Sequence, residues 1–305
     1  MVRIIKSLTV GLLLCLLSSC GESDEQRHAR TKAEKEKLAA EYAAAFKVGV
    51  LPTLDCLPIY LLKDSVLYDT TKVDIRLKQF NAQMDCDTAL IGGSIQGSVT
   101  DLVRAERLRR KGTALTMPIA TNAYWLLVTN KRGRLKELSQ FSDKMVAMTR
   151  YSVTDMLTDI AVERGKTKYP VYRVQINDIP LRLRMLINNE MDAMWLPEPQ
   201  ATAAQLYKHT VLMDSRKEDL QMGVIAFRSK ELAGEKRFME YEEFQKAYDT
   251  ACRQINRRGV AYYAPLIRKY MNVDDKVIKR LPKITFEPSK KPREKDKAKA
   301  QTFLK

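Results

Sequence analysis

Asp192-Ala193-Met194-Trp195-Leu196-Pro197-Glu198-Pro199 is the stretch on which the fold turns. An apolar run closed by two prolines reads as a short buried strand, because proline cannot donate to a sheet ladder and ends it. Just upstream, Asp178 caps a helix running through Asn188, with Pro180 in the first turn, where its missing N–H costs nothing. Before that helix lies a strand at Val171–Val174. Earlier still come a strand at Lys144–Met148, a loop at Thr149–Thr154 and a helix at Val153–Arg164 stopped by Gly165. Short apolar runs alternating with helical patterns are the signature of βαβ units and a mostly parallel sheet.

The same scheme fills the first half of the chain. Phe46–Leu51 is a first strand, Pro52–Asp55 the turn leaving it, and Cys56–Lys63 a short helix. Val73–Leu77 is a second strand, and Thr88–Ile91 a third that runs into Gly92-Gly93-Ser94. Ser98-x-x-Asp101 then caps a helix to Lys111, with Gly112 just past its end, where a left-handed residue is usual. Tyr124–Val128 is a strand placed to cross into a second lobe, and Gly223–Phe227 leads back. Amphipathic helices at Phe238–Arg257 and Val260–Met271 complete the first lobe.

Met84-Asp85-Cys86-Asp87-Thr88-Ala89-Leu90-Ile91-Gly92-Gly93, the helix ending at Gly112, Leu186-x-x-Asn189-Glu190-Met191-Asp192-Ala193 and Trp195-Leu196-Pro197-Glu198-Pro199-Gln200-Ala201 are successive landmarks. Together they resemble type II periplasmic solute-binding proteins of ABC transporters, in the nitrate/sulfonate/taurine branch that also carries thiamine-pyrimidine precursors. One departure is that Lys78–Asp85 is too short for the usual long helix between the second and third strands. The resemblance implies an α/β fold of two lobes, each a mostly parallel sheet flanked by helices, with the ligand cleft between them. Residues 47–123 plus 225–288 are then lobe 1 and residues 124–224 lobe 2. It also implies capture of a small solute, delivery to an ABC permease with its ATPase, and a monomer.

In open parallel sheets, ligands sit beyond the carboxyl ends of strands, where helix N-termini offer free N–H groups to acceptors and anions. That rule selects Thr53, Leu54 and Asp55, then Gly93 and Ser94, then Arg150, Tyr151 and Ser152, and finally Trp195 and Glu198, with Tyr124 and Trp125 near the crossing. Arg150 and Ser94 favour a sulfonate-like anion, whereas Tyr151, Trp125 and Trp195 favour a planar heterocycle. Each has a plainer reading: a surface arginine, a turn serine, core aromatics and, for Glu198, a helix cap.

The ends of the chain speak to location. Arg3 and Lys6, the apolar run Leu8–Leu17 and Leu17-Ser18-Ser19-Cys20-Gly21 make residues 1–19 a lipoprotein signal peptide, with Cys20 the acylated first residue of the mature chain. The apolar run is too short to span a bilayer. Residues 20–46 read as a tether followed by a spacer helix opening on the capping box Thr31-x-x-Glu34. The protein is thus expected on a membrane facing the periplasm, or, given the acidic Glu22, Asp24 and Glu25, on the outer cell surface.

The formal charge is +16. Residues 289–305, read as a disordered basic tail, hold seven basic residues against two acidic ones, or +5 of it. Such a surface also suits a second role, a surface-anchored interaction or sensory lipoprotein binding a polyanion or a partner protein; no nucleic acid is expected. With His28 in the tether and His209 as the sole other histidine, neither a histidine metal cluster nor a Ser-His-Asp arrangement is available, and no Gly-rich nucleotide loop occurs. No enzyme, cofactor or metal is expected. Cys56, Cys86 and Cys252 are expected as free or buried thiols, since strand ends about 16 Å apart would separate Cys56 from Cys86.

Overall fold

The computed structural model describes residues 24–305; the expected signal peptide and Cys20 lie outside the described residues. The described chain comprises a helix, α1 (Asp24–Ala44), and a compact body, Phe46–Lys305. Helix α1 starts well before Thr31, so the expected capping box is not its beginning and the segment after Asp24 is not an irregular tether. No glycine or proline interrupts Asp24–Ala44. Among the described residues, no helix is long and apolar enough to cross a membrane.

The body holds two five-stranded sheets. The first uses β1 (Phe46–Val50), β2 (Ile75–Gln79), β3 (Gly97–Asp101), β4 (Leu115–Ala120) and a late strand, Gly223–Arg228. The second uses β5 (Leu126–Thr129), β6 (Met145–Met148), β7 (Tyr172–Gln175), β8 (Ala193–Leu196) and β9 (Thr210–Asp214), so that the late strand is β10. Their orders, β2-β1-β3-β10-β4 and β7-β6-β8-β5-β9, follow one plan. Three parallel strands are joined by one antiparallel strand, and that strand is the first the chain forms after each crossing, β5 on the way out and β10 on the way back. Strands β4 and β9, absent from the sequence reading, occupy the equivalent edges, paired to β10 and β5.

Helices α2 (Leu57–Asp64), α3 (Gln83–Ile91), α4 (Leu102–Arg110), α5 (Val153–Gly165), α6 (Ile179–Ile187), α7 (Gln200–Leu206) and α8 (Glu235–Arg258) flank the sheets. In the first lobe, Phe46 stacks on Phe227 at 6.0 Å while Phe244 of α8 meets Phe227 edge-on at 5.8 Å. Gly97 lies against this group: a Cβ there would come within 2.4 Å of the Phe227 ring, so β3 can pass only without a side chain.

The largest departure from the sequence reading is at Thr88–Ile91. This run is the end of helix α3, not a strand, and the third strand is Gly97–Asp101. A short apolar run cannot be told from a buried helical turn by periodicity alone. The reassignment also removes the missing-helix anomaly, because α3 is the connection between β2 and β3. Asp101, not Ser98, caps the following helix: its side chain accepts from the Arg104 N–H.

The C-terminal segment is not a disordered tail. After α9 (Ala264–Met271), the chain reaches helix α10 (Glu294–Phe303), which packs on α4. Ala300 is fully buried and Asp296 nearly so. Arg110 donates to the carbonyls of Gln301 and Leu304, supplying partners for the free end of the helix. Arg293 and Lys295 converge on Asp219, so part of the basic excess is neutralised within the fold.

Cys56, Cys86 and Cys252 are buried and unbonded. The separation argued for Cys56 and Cys86 does not hold, since Cys86 lies on α3; the two share one core cluster, and Cys86 adds to the cost of ionising Cys56. Burial pushes the Cys86 and Cys252 thiols up to about 12. All three should resist alkylation while the protein is folded and each take one label after unfolding without reductant, read by peptide mapping.

Candidate ligand-binding cleft

The carboxyl ends of the parallel strands of both sheets meet around a cavity of about 50 Å³. Thr53 and Asp55 line it beyond β1, Thr100 and Asp101 at the end of β3, Thr149 and Ser152 beyond β6, Asn177 beyond β7, and Pro197 beyond β8.

Direct contacts close the lobes around it. The Leu54 N–H donates to the Glu198 carbonyl at 2.8 Å, the Gln200 amide to the Pro52 carbonyl at 2.8 Å, and the Ile179 N–H to the Asn81 carbonyl at 3.0 Å. At the other lip, α4 grips the start of α5. Asp101 accepts the Val153 N–H at 3.1 Å, Arg104 donates to the Arg150 carbonyl at 3.3 Å, and the Arg107 guanidinium lies 4.0 Å from the Tyr151 ring centroid.

Arg182 dominates the chemistry of the cavity. It is 3% exposed and lines the cavity from α6. Its Nε donates to the Ile176 carbonyl at 2.6 Å, Nη1 to the Trp195 carbonyl at 3.1 Å, and Nη2 to the Thr149 hydroxyl. Those are neutral acceptors, and among the described residues no carboxylate comes within salt-bridge distance. Burial lowers its pKa to about 10, with Asp178 opposing the shift only through space. Of the five guanidinium N–H groups, two remain for a ligand. A buried, uncompensated cation of this kind is costly to a fold and suited to an anion.

The positive end of α5 lies beside it. Ser152 caps that helix, accepting the Thr154 N–H at 3.1 Å and donating to the Thr149 carbonyl at 2.7 Å. Thr100 Oγ1 is buried without a partner and lines the same cavity. Asp55 adds a carboxyl whose pKa burial raises, and to which the Thr121 hydroxyl donates at 3.4 Å.

Asp101 holds both lips, capping α4 through the Arg104 N–H at 3.0 Å while accepting from Val153. Burial pushes it up to about 6, against the opposing pull of Arg104. The folded state therefore keeps a proton that the unfolded chain has lost, so the stability Asp101 adds is fully present below about pH 4 and lost as pH rises through 6. Relative to Asp101→Asn, which has no charge to titrate, the wild type should lose about 2–3 kcal/mol between pH 4 and pH 7.5 in urea unfolding. Parallel pH profiles for the two proteins would sink this assignment.

Of the sequence candidates, Thr53, Asp55, Trp125 and Ser152 line the cavity. The others do not. Gly93 and Ser94 follow α3 and precede β3, at the opposite end of that strand. Gly93 has a φ of +74° and sits against Arg228, and Ser94 donates to the Ala89 carbonyl at 3.2 Å. Leu54 is core, with its N–H spent on Glu198. Arg150 is exposed, and Tyr151, 47% exposed, is covered on one face by Arg107. Trp195 is fully buried, its Nε1 donating to Thr158 at 2.9 Å. Glu198 caps the turn into α7, accepting the Thr202 N–H at 3.0 Å and the Tyr124 hydroxyl at 3.3 Å; Tyr124 itself carries Arg216 over its ring.

Arg182, Thr100, Asp101 and Thr149 escaped the sequence reading. For Arg182 a signal existed: Ile179, Arg182 and Leu186 share one helical face, and that face is buried. Among the described residues, no group of three His, Cys, Asp or Glu side chains is placed to hold a metal ion.

No protein-family model and no curated protein matches the chain. Solved structures do. The ligand-binding component of an ABC-type import system from Staphylococcus aureus, solved with zinc bound, superposes with a TM-score of 0.71 at 17% identity, over 85% of this chain and 90% of that one. The periplasmic aliphatic sulphonate-binding protein SsuA from Escherichia coli gives 0.67 at 17%, over 85% and 90%. The periplasmic nitrate-binding protein NrtA from Synechocystis PCC 6803 gives 0.71 at 13%, over 86% and 80%. At these identities the likeness establishes a shared fold, that of the two-lobed solute-binding proteins, with the suspected sulfonate and nitrate binders among its neighbours.

Proposed function

We propose that this chain is the solute-capturing component of an ABC importer, with no catalytic activity of its own, and that its ligand is a small anion-bearing molecule. The observation that carries the reading is Arg182, a buried guanidinium with spare donors and no carboxylate partner among the described residues, facing a small cavity beside the start of α5. The anion is favoured over a planar heterocycle. Trp195 is core and Tyr151 lies outside the cavity, so Trp125 is the one proposed stacking residue that lines it, and the volume suits a few non-hydrogen atoms. Closure excludes water and strengthens each polar contact, so both lobes contribute to affinity.

Cys20 carries the lipid anchor in this reading, and the segment that follows holds the domain near its permease at raised effective concentration. Lobe 1 is residues 47–123 and 225–288, lobe 2 residues 124–224, and the protein works as a monomer facing the periplasm. The test is a thermal-shift screen of small carboxylates, sulfonates and inorganic anions, with native mass spectrometry for a co-purifying molecule. A saturating ligand at a hundred times its Kd stabilises by about 2.7 kcal/mol, and the shift should survive 0.5 M NaCl. If no small molecule shifts the melting temperature while heparin binds and is released by salt, the polyanion-binding role replaces this one.

A further inference from the structure

We infer that a second ligand site lies on the two connections between the sheets, where they meet the C-terminal segment, and that it takes a small hydroxyl-bearing phosphate ester. This goes beyond solute capture and does not depend on it. Residues 121–125 carry the chain from β4 to β5, and residues 215–222 return it from β9 to β10. Together with residues 283–285 and Arg293 they line a recess of about 300 Å³, against about 50 Å³ for the cleft cavity. That volume is at the lower end of small-molecule sites.

The lining calls for an anion. Arg216 and Lys283 reach the recess from two different segments. The Nε and Nη2 groups of Arg216 hold Asp214 while its guanidinium lies 4.1 Å from the Tyr124 ring centroid, which leaves Nη1 unengaged among the described residues. Lys283 has no acidic partner among the described residues. The one acid in the lining, Asp219, is already held by Arg293 and Lys295. A tetrahedral phosphate presents oxygens in several directions, so it can face a guanidinium and an ammonium that approach from separate sides.

The ligand must also bring an uncharged donor. Asn122 gives its Nδ2 to the Thr285 carbonyl at 3.4 Å, so its Oδ1 points elsewhere, and that oxygen is buried without a partner. A buried acceptor left unmatched costs the fold until a donor meets it. An ammonium group would be repelled by Arg216 and Lys283 in the same recess, and a hydroxyl would not. The walls of the recess also hold the cleft. The Thr121 hydroxyl donates to Asp55 at 3.4 Å, and the Tyr124 hydroxyl donates to Glu198, whose backbone carbonyl takes the Leu54 N–H from the other lobe. An occupant thus rests on segments that any movement of one sheet against the other must bend.

Calorimetry on the full chain at pH 7.5 tests this with glycerol 3-phosphate, with propyl phosphate, which lacks the hydroxyls, and with glycerol, which lacks the charge. Glycerol 3-phosphate should bind about fivefold more tightly than propyl phosphate, and glycerol should not bind. Lys283→Met should weaken both phosphates by about tenfold or more, and Asn122→Ala should bring them within about twofold of each other. Arg182→Met, which takes the cation out of the cleft, should leave the glycerol 3-phosphate affinity within about twofold of wild type. The comparison of probes within the wild type stands whether or not a variant folds. Equal binding of the two phosphates, binding of neither, or binding lost in Arg182→Met and kept in Lys283→Met overturns the second site, and each leaves solute capture to its own test. Phosphatidylglycerol vesicles separate the two sources of such an ester: co-sedimentation that Lys283→Met and Asn122→Ala both abolish places it on a lipid headgroup, and co-sedimentation that neither changes makes it a free solute.

Discussion

Arg182→Met should abolish small-anion binding while leaving the fold nearly as stable as before. Charge-assisted hydrogen bonds contribute about 1.5–3 kcal/mol each, so losing the two spare guanidinium donors should weaken affinity by roughly 100-fold or more. The effect on stability is smaller because two terms oppose. The Ile176 and Trp195 carbonyls and the Thr149 hydroxyl lose a donor, but the fold no longer has to hold a dry cation, whose cost is visible in the lowered Arg182 pKa. Replacing a buried ion pair by apolar side chains of similar size is often close to neutral, and Arg182 leaves no buried counter-ion behind when it is removed. The expected change in urea unfolding is within about 2 kcal/mol. Arg182→Lys, with a charge but no planar fork, should recover part of the affinity at most. Were Arg182 purely structural, stability would fall by several kcal/mol and binding per folded molecule would not change; that pairing of results would remove the central residue of the proposed site.

How the site came to be half legible follows from which strands carried a signal. Val48, Val50, Val146, Met148, Met194 and Leu196 mark their strands by apolar side chains, and the alternation with helices fixes the α/β class. Strand β3 is buried along its whole length yet spelled Gly97-Ser98-Val99-Thr100-Asp101, a polar sequence with nothing to suggest a central strand. Its burial is permitted because Gly97 makes room for Phe227 and because Asp101 and Ser98 find partners within the fold. Mistaking α3 for that strand placed the expectation on Gly93 and Ser94, at the end of β3 opposite to Thr100 and Asp101, which line the cavity. The tail was misjudged on charge. Its lysines and arginines dominate the composition, but Ala300 on one face of α10 reaches the core, and local sequence carries no record of the Asp219 and Arg110 partners that hold the segment down.

Trp195 is where the plain reading and the functional one give opposite numbers. As a stacking platform, its loss would cut affinity and spare the fold. As core, it should do the reverse: Trp195→Ala removes a fully buried indole from the interior packed by Leu127, Val146, Met156 and Leu157, and aromatic-to-alanine changes at such sites cost about 3–5 kcal/mol. In a body of this size that is a fall in Tm on the order of 10 °C. Trp195→Phe separates the parts, because it keeps most of the packing and loses the Nε1 donor to Thr158; about 1–2 kcal/mol is expected. Its affinity for the best ligand should stay within about threefold of wild type, since what Trp195 offers the site is its backbone carbonyl, which accepts from Arg182 and survives the change. A tenfold loss of binding in Trp195→Phe at unchanged stability would return the indole to the cleft.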